Sequence, residues 1–186
     1  LKQMFPRNPI IKNPDSYREY YKPQEDHTYF IIVDVARGLG KDYSAFTIID
    51  TTEFPYKIAA TFYNNTIAPL VFPTVIDNIA KRFNDAWILI EINDIGGQVA
   101  DILHNDLENE FILSVITKGR AGQILSGGFS GHGKSALGVR TTVTIKKIGC
   151  SVLKSLIEED KLIIEDENLI TELTSFISKR NTFQAD

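Results

Sequence analysis

Sulfur is scarce in this chain. A single cysteine, Cys150, among 186 residues excludes an internal disulfide framework and fits a reducing compartment. No apolar run approaches the roughly 18 residues that a membrane-spanning helix needs, so no membrane partner is expected. The start, LKQMFPRNPI, lacks the basic region and apolar stretch of a secretory signal. Met4 is the only methionine and the chain begins at leucine, so it reads as a domain of a longer polypeptide. Positive charge is also in short supply, with 20 Lys and Arg against 24 Asp and Glu for a net charge of −4. Contact with a polyanion must therefore come from a local patch rather than an overall field. The three histidines, His27, His104 and His132, show neither metal-ligand spacing nor a Ser-His-Asp arrangement.

What is present is the balance of one ordinary globular domain, 43% hydrophobic and 24% charged, with one core expected. Residues 1–27 carry Pro6, Pro9, Pro14 and Pro23 without a sustained period, and read as a linker or lead-in arm. From Thr28 the apolar run YFIIVD, the turn-rich ARGLGKD, and the β-rich runs YSAFTIIDTT and IAATFYNN predict three consecutive antiparallel strands. IAPLVFPTVIDNIAKRF has helical spacing to about Phe83, with Pro73 making its first part irregular or kinked. WILIE is of strand length, and Ile95, Val99, Ile102, Leu103 and Leu107 share one face of a helix. FILSVI predicts a brief strand, 118–138 a glycine-rich loop or hairpin, Val139–Ile157 a helix, KLIIED a strand and NLITELTSFIS a final helix. This order, β-β-β-α-β-α-β-α-β-α, predicts an α/β fold with a mixed sheet and helices on its faces.

Two runs share one design: FIIVD ends at Asp34 and WILIE at Glu91. Four apolar residues in a row mark a strand covered on both faces, with the acid where the strand leaves the core. An acid ending one strand is ordinarily solvated or caps a turn, but two after matched runs point to a shared site. Were the strands neighbours, the carboxylates would converge, and a hard divalent cation would relieve their repulsion by taking oxygens from both. Such a site activates water for attack on a phosphodiester. Asp42, eight positions after Asp34 across the Gly38–Gly40 turn, returns to the same end in a hairpin. LIIED, ending in Glu165 and Asp166, reads instead as a solvated acidic turn or a helix N-terminus.

Residues 128–135, GFSGHGKS, match the phosphate-loop pattern G-x-x-x-x-G-K-[ST], in which Lys134 and Ser135 would meet phosphate and magnesium. A working phosphate loop joins a buried strand to a helix, whereas only Ile124-Leu125 precede these glycines and Ala136-Leu137-Gly138 follow. A better use for the segment is contact with a nucleic-acid backbone through Lys118, Arg120, Lys134 and Arg140, with Lys146 and Lys147 on the following helix. A solvated surface role for these cations remains the alternative.

Together VDVARGLGKDYSAFTIID, ILIEINDIGGQVADIL and IGCSVLKSLIEEDKLII resemble the nuclease domain of the tailed-phage (T4-like) terminase large subunit, the DNA-packaging motor protein. The resemblance covers about Thr28 to Asp186. It implies an RNase H-like fold and a metal-dependent endonuclease that cuts concatemeric viral DNA during genome packaging in the cytoplasm of the infected bacterial host. It further implies one or two Mg2+ or Mn2+ ions and no nucleotide in this domain. The implied partners are double-stranded DNA, an ATPase domain preceding residues 1–27, the phage portal or procapsid and the small terminase subunit. Asp34 resembles the family's first-strand metal ligand, Glu91 its central acid, and Asp42 a supporting acidic position. The family's remaining aspartate follows a glycine-containing segment after the last part of this similarity, and the sequence stops at FQAD, which places that residue just beyond Asp186 and makes 28–186 a nuclease domain truncated at its C-terminal end. A non-cleaving module that binds DNA or docks on the portal, and a nucleotide-binding enzyme using Gly128–Ser135, are the competing readings.

Overall fold

The computed structural model describes residues 3–13, 16–116, 124–125, 135–179 and 182–185. Strands β1 (Ile11–Lys12) and β2 (Tyr17–Glu19) precede β3 (Tyr29–Asp34), β4 (Ser44–Asp50) and β5 (Tyr56–Asn64). Then come α1 (Phe72–Arg82), β6 (Trp87–Ile90) and α2 (Gly96–Asp101), which runs on as a π-helical turn over Ile102–Asp106. Strands β7 (Ser114–Ile116), β8 (Ile124–Leu125) and β9 (Ser135–Leu137) lead to α3 (Val143–Glu158) and β10 (Leu162–Ile163). The last elements are α4 (Glu167–Ser175), β11 (Phe176–Lys179) and β12 (Thr182–Ala185).

The main sheet runs β1-β2-β5-β4-β3-β6, with β10 also on β5. β3, β4 and β5 are antiparallel neighbours and β6 joins β3 in parallel, which is the mixed RNase H-like sheet expected. Its burial follows the pleat: Tyr29, Ile31 and Val33 are 2%, 0% and 1% exposed, while Ile32 between them is 41% exposed. The inward residues meet Phe72, Ile76 and Ala80 of α1, Phe83 just after it, and Val99 and Leu103 of the next helix. Phe72, Ile76 and Ala80 recur at helical spacing on this buried face, and Pro73 sits in the first turn, where its missing N–H has no intrahelical partner to lose. Residues 67–71 are loop and turn, the irregular first part expected, and Pro73 starts the helix instead of kinking it. Each fully buried Ile or Phe contributes roughly 1.5–3 kcal/mol, so this face dominates the core.

The second face is covered by Leu153, Leu156 and Ile157 of α3 and Leu169, Ile170 and Leu173 of α4, packed on Ile58, Leu162 and Ile164. This cover is looser. An open cavity of about 380 Å3 lies between the sheet and these helices, lined by Ile32, Thr47, Leu89, Leu153 and Leu169. The expectation that FIIV is sealed on both faces therefore needs correcting, since α3 and α4 leave Ile32 in contact with water.

Other expectations change as well. Within the lead-in arm, Tyr17–Glu19 pair antiparallel with Ala60–Phe62 of β5, and Met4 bridges to Ile164. Part of the arm is thus sheet, because β5 offers a free edge. Glu165 and Asp166 are not solvated, being 3% and 2% exposed. Asp166 Oδ1 accepts the Leu169 N–H at 2.8 Å and so caps α4, while Oδ2 accepts from the Tyr20 and Thr61 hydroxyls. α3 begins at Val143 rather than Val139, because Thr142 Oγ1 accepts the Ile145 N–H as an N-cap. The final helix stops at Ser175, and Phe176–Lys179 instead pairs with Thr182–Ala185. Among the described residues no helix is long and apolar enough to cross a membrane.

Candidate functional site

β3 and β6 pair in parallel from Phe30 with Trp87 to Val33 with Ile90. Asp34 closes β3, and Glu91 follows β6 directly, its N–H donating to the Val33 carbonyl at 2.9 Å. Parallel pairing in this register brings the acids ending the two runs side by side. Both line the cavity on the second face together with Ile32 and Leu89, as the pleat requires of alternate residues.

Their proximity alters the proton equilibrium of Asp34. Thinned solvation raises its pKa, the negative charge of Glu91 raises it further, and Asp42 adds a smaller push against the opposing hydrogen bond from the Val35 N–H. Asp34 still reaches solvent, so water screens much of this repulsion. Asp42 lines an open cavity of about 450 Å3 with Asp34, Glu91, Asn93 and Asp94. The structure thus gathers Asp34, Glu91 and Asp42 at one end of the sheet.

Two glycines permit this arrangement. Gly38 has φ +70°, and a Cβ there would sit 2.3 Å from the Ile67 carbonyl oxygen. The neighbouring Gly40 N–H donates to Asn65 O at 2.8 Å, and Asn65 Nδ2 donates back to Gly40 O at 3.2 Å, fastening the β3–β4 loop to the segment after β5. A Cβ on Gly96 would meet the Glu91 carbonyl oxygen at 1.9 Å, so only glycine lets α2 begin against the backbone that carries the acid.

Asn93 escaped the sequence reading. Its Nδ2 donates to Glu91 Oε1 at 2.8 Å and to the Thr141 carbonyl at 3.2 Å, which fixes the orientation of the carboxylate. The signal was available in EINDIGG, where an amide follows the strand-ending acid by two positions.

The donor set suits a hard divalent cation, being carboxylate oxygen alone with one Glu91 oxygen held by an amide. Among the described residues no group of three or more His, Cys, Asp or Glu could hold a metal ion. Waters or substrate oxygens would complete the shell of a cation there, as magnesium coordination allows.

The basic residues are placed differently. Lys118, Arg120 and Lys134 lie outside the described residues. Arg140 is exposed and follows Val139, which bridges to Glu91, so its backbone is at the carboxylate end of the sheet. Lys146 is exposed and Lys147 half-buried on α3, and Lys146 lines a different cavity, with Cys150 and Glu172. Of the phosphate-loop motif Gly128–Ser135, residues 128–134 lie outside the described residues, and the context of Ser135 counts against that reading. Ser135 begins a strand paired with β7 and the next helix starts only at Val143, whereas a phosphate loop places this serine at the start of a helix.

Residues 31–185 match the family described as the terminase RNaseH-like domain. The fold is similar to the large terminase nuclease of thermophilic phage G20c with bound magnesium, at a TM-score of 0.71 and 15% identity, covering 100% of this chain and 85% of that one. The same nuclease with bound cobalt superposes with a TM-score of 0.70 at 16% identity and the same coverage. The Thermus phage P74-26 large terminase nuclease domain gives 0.64 at 15% identity, over 97% of this chain and 81% of that one. At such identities these structures speak to the fold, whereas the family match takes in β4, β5, β6, β10, most of β3 and both acids. The chain belongs to the terminase RNase H-like domain family.

Proposed function

We propose that this domain is a divalent-metal-dependent DNA endonuclease that cuts concatemeric viral DNA during genome packaging in an infected bacterium. The observation that carries the reading is the pairing of Asp34 and Glu91 at one end of two parallel strands, in an open, oxygen-rich cavity. The bound cobalt, magnesium and zinc of the G20c nuclease structures support a divalent cation here, with one or two Mg2+ or Mn2+ ions as the cofactor. Asp34 and Glu91 would hold it, Asn93 would keep Glu91 aligned, and the charge of Asp42 would add attraction for the cation. When bound, such an ion polarises a phosphate oxygen and acidifies the attacking water. The substrate is double-stranded DNA, gripped through its backbone with Arg140, Lys146 and Lys147 among the contributing cations and without base-specific readout. Residues 1–27 connect to an ATPase domain of the same polypeptide, and the portal and small terminase subunit are further partners.

The test is nicking of supercoiled plasmid in Mg2+ or Mn2+. Loss of an outer partner of a metal ligand already lowers activity about 10–100-fold, so Asp34→Asn and Glu91→Gln should each lose at least about 100-fold with an unchanged circular dichroism spectrum. Undiminished cutting by both variants would sink the proposal. Metal-independent DNA binding by a parent that never cuts would favour the docking module instead.

A further inference from the structure

Two open cavities meet at Asp34 and Tyr43. The first, of about 450 Å3, is walled by the β3–β4 loop and the end of β6 and includes Lys41, Asp42 and Glu91. The second, of about 560 Å3, continues over β4 and β5 to α4 and includes Thr47, Tyr63 and Asn168. Together they form a groove that crosses the second face of the sheet beside the carboxylate pair.

The lining of this groove is acidic, with Asp34, Asp42 and Glu91 in the first cavity and Asp166 and Glu172 in the second. A polyanionic strand entering it needs a cation at the rim. Arg37 is already engaged, its Nε and Nη2 donating to Asp94 at 2.8 and 2.6 Å. Lys41 is exposed, lines the first cavity, and is in no ion pair among the described residues. Its ammonium is free to meet a phosphate. The loop that bears it is held to Asn65 by two hydrogen bonds at Gly40, so the cation stands on a fixed backbone.

Tyr43 adds a second kind of contact. Its ring is 52% exposed and lies 5.7 Å from that of Tyr63. Tyr63 is itself pinned, with the Arg18 guanidinium 4.9 Å from its ring centre and donating to its hydroxyl at 2.6 Å. Tyr43 is thus the outer member of a tilted aromatic pair, its ring at 58° to that of Tyr63, with an open aromatic surface in the cavity that Asp34 also lines. A ring so placed adds little to the core, whereas an exposed aromatic face can pack on a deoxyribose, or on any base that leaves its stack where the strand is distorted.

We infer that the β3–β4 loop positions the DNA strand at the carboxylate pair, with Lys41 holding a backbone phosphate and Tyr43 stacking on the adjoining base or deoxyribose. The inference rests on the endonuclease reading for its reaction but on separate residues for its evidence. Neither contact carries base identity, so the loop grips DNA without regard to sequence.

Steady-state cleavage of a linear duplex in Mg2+ tests it with Lys41→Ala, Tyr43→Ala and Tyr43→Phe, each checked for an unchanged melting temperature. Lys41→Ala should raise KM and reduce the slope of log(kcat/KM) against log[salt] by about 0.9, the loss of one phosphate contact. Tyr43→Ala should lower kcat/KM by roughly 5- to 100-fold, and Tyr43→Phe, which keeps the ring, should recover most of it. An unaltered salt slope in Lys41→Ala, or equal losses in Tyr43→Ala and Tyr43→Phe, overturns the inference while leaving the nuclease standing. If the parent never cuts, the endonuclease reading falls instead. The same variants then decide the loop's role by fluorescence anisotropy with a labelled duplex: parental affinity and salt slope in all of them overturn it, and weakened binding with the reduced slope upholds it.

Discussion

Replacing Asp166 by alanine should destabilise the fold by about 3–5 kcal/mol. The residue is 2% exposed. Its Oδ1 caps α4 through the Leu169 N–H, and its Oδ2 accepts from the Tyr20 and Thr61 hydroxyls, all at 2.8 Å. Arg18 Nη1 lies 3.6 Å from the same oxygen. A lost cap is worth about 1 kcal/mol, and each buried hydroxyl deprived of its acceptor about 1–3 kcal/mol, with the sum reduced because both share one oxygen. In a domain of this size each kcal/mol moves the melting temperature by roughly 2–4 °C, so a fall of about 10 °C is expected. Burial works against the charge of Asp166, but the Leu169 N–H, the Thr61 and Tyr20 hydroxyls and Arg18 outweigh it and hold the carboxyl below its ordinary value. The unfolded chain takes up this proton near pH ~3.9, above the native value, so the stabilisation is present at neutral pH and is lost as pH falls through the native pKa. Asp166→Asn keeps a capping oxygen but cannot titrate, so its deficit at pH ~7 should shrink in acid. Urea unfolding followed by circular dichroism from about pH 3 to 7 measures both effects. An alanine variant within about 1 kcal/mol of the parent, or an asparagine variant with the parental acid limb, would refute this account of the residue.

Arg82→Ala leaves Glu19, which is 0% exposed, without the guanidinium that now donates to its two oxygens at 2.7 and 2.8 Å. Removing one partner of a buried pair costs about 3–5 kcal/mol; because Arg82 is itself 43% exposed, water can enter and the lower end, about 3 kcal/mol, is expected in urea unfolding. Gly96→Ala forces a Cβ into the Glu91 carbonyl oxygen, 1.9 Å away. The result should be a loss of about 1–3 kcal/mol together with weaker Mn2+ binding by calorimetry, and a variant with parental affinity would show that Glu91 does not depend on this approach.

Much of the architecture was legible because strand and helix periods are local properties. YFIIVD, YSAFTIID and the run ending in FYNN are apolar or β-rich runs of strand length, and their short connections favour antiparallel neighbours. The acids at the ends of FIIVD and WILIE stood out for the same reason, as breaks in apolar runs. Misreadings arose where a partner distant in sequence decides the outcome. Tyr17–Glu19 has no strand signature of its own and becomes one because β5 presents an unpaired edge. Of the two readings of Glu165 and Asp166, the helix N-terminus holds, since Asp166 caps α4, whereas the solvated turn fails because Arg7, Tyr20 and Thr61, all more than 100 positions away, supply their partners.

The sequence by itself determined the class of fold, the run of antiparallel strands and the three acids Asp34, Asp42 and Glu91, since hydrophobic period and strand-ending charge are written in consecutive residues. Only the tertiary structure decided that β3 and β6 pair in parallel, that Asn93 orients Glu91, and that Lys41 and Tyr43 flank the carboxylates. Those relations depend on which strand edges meet and in what register, and backbone hydrogen bonding between segments remote in the chain is what selects them.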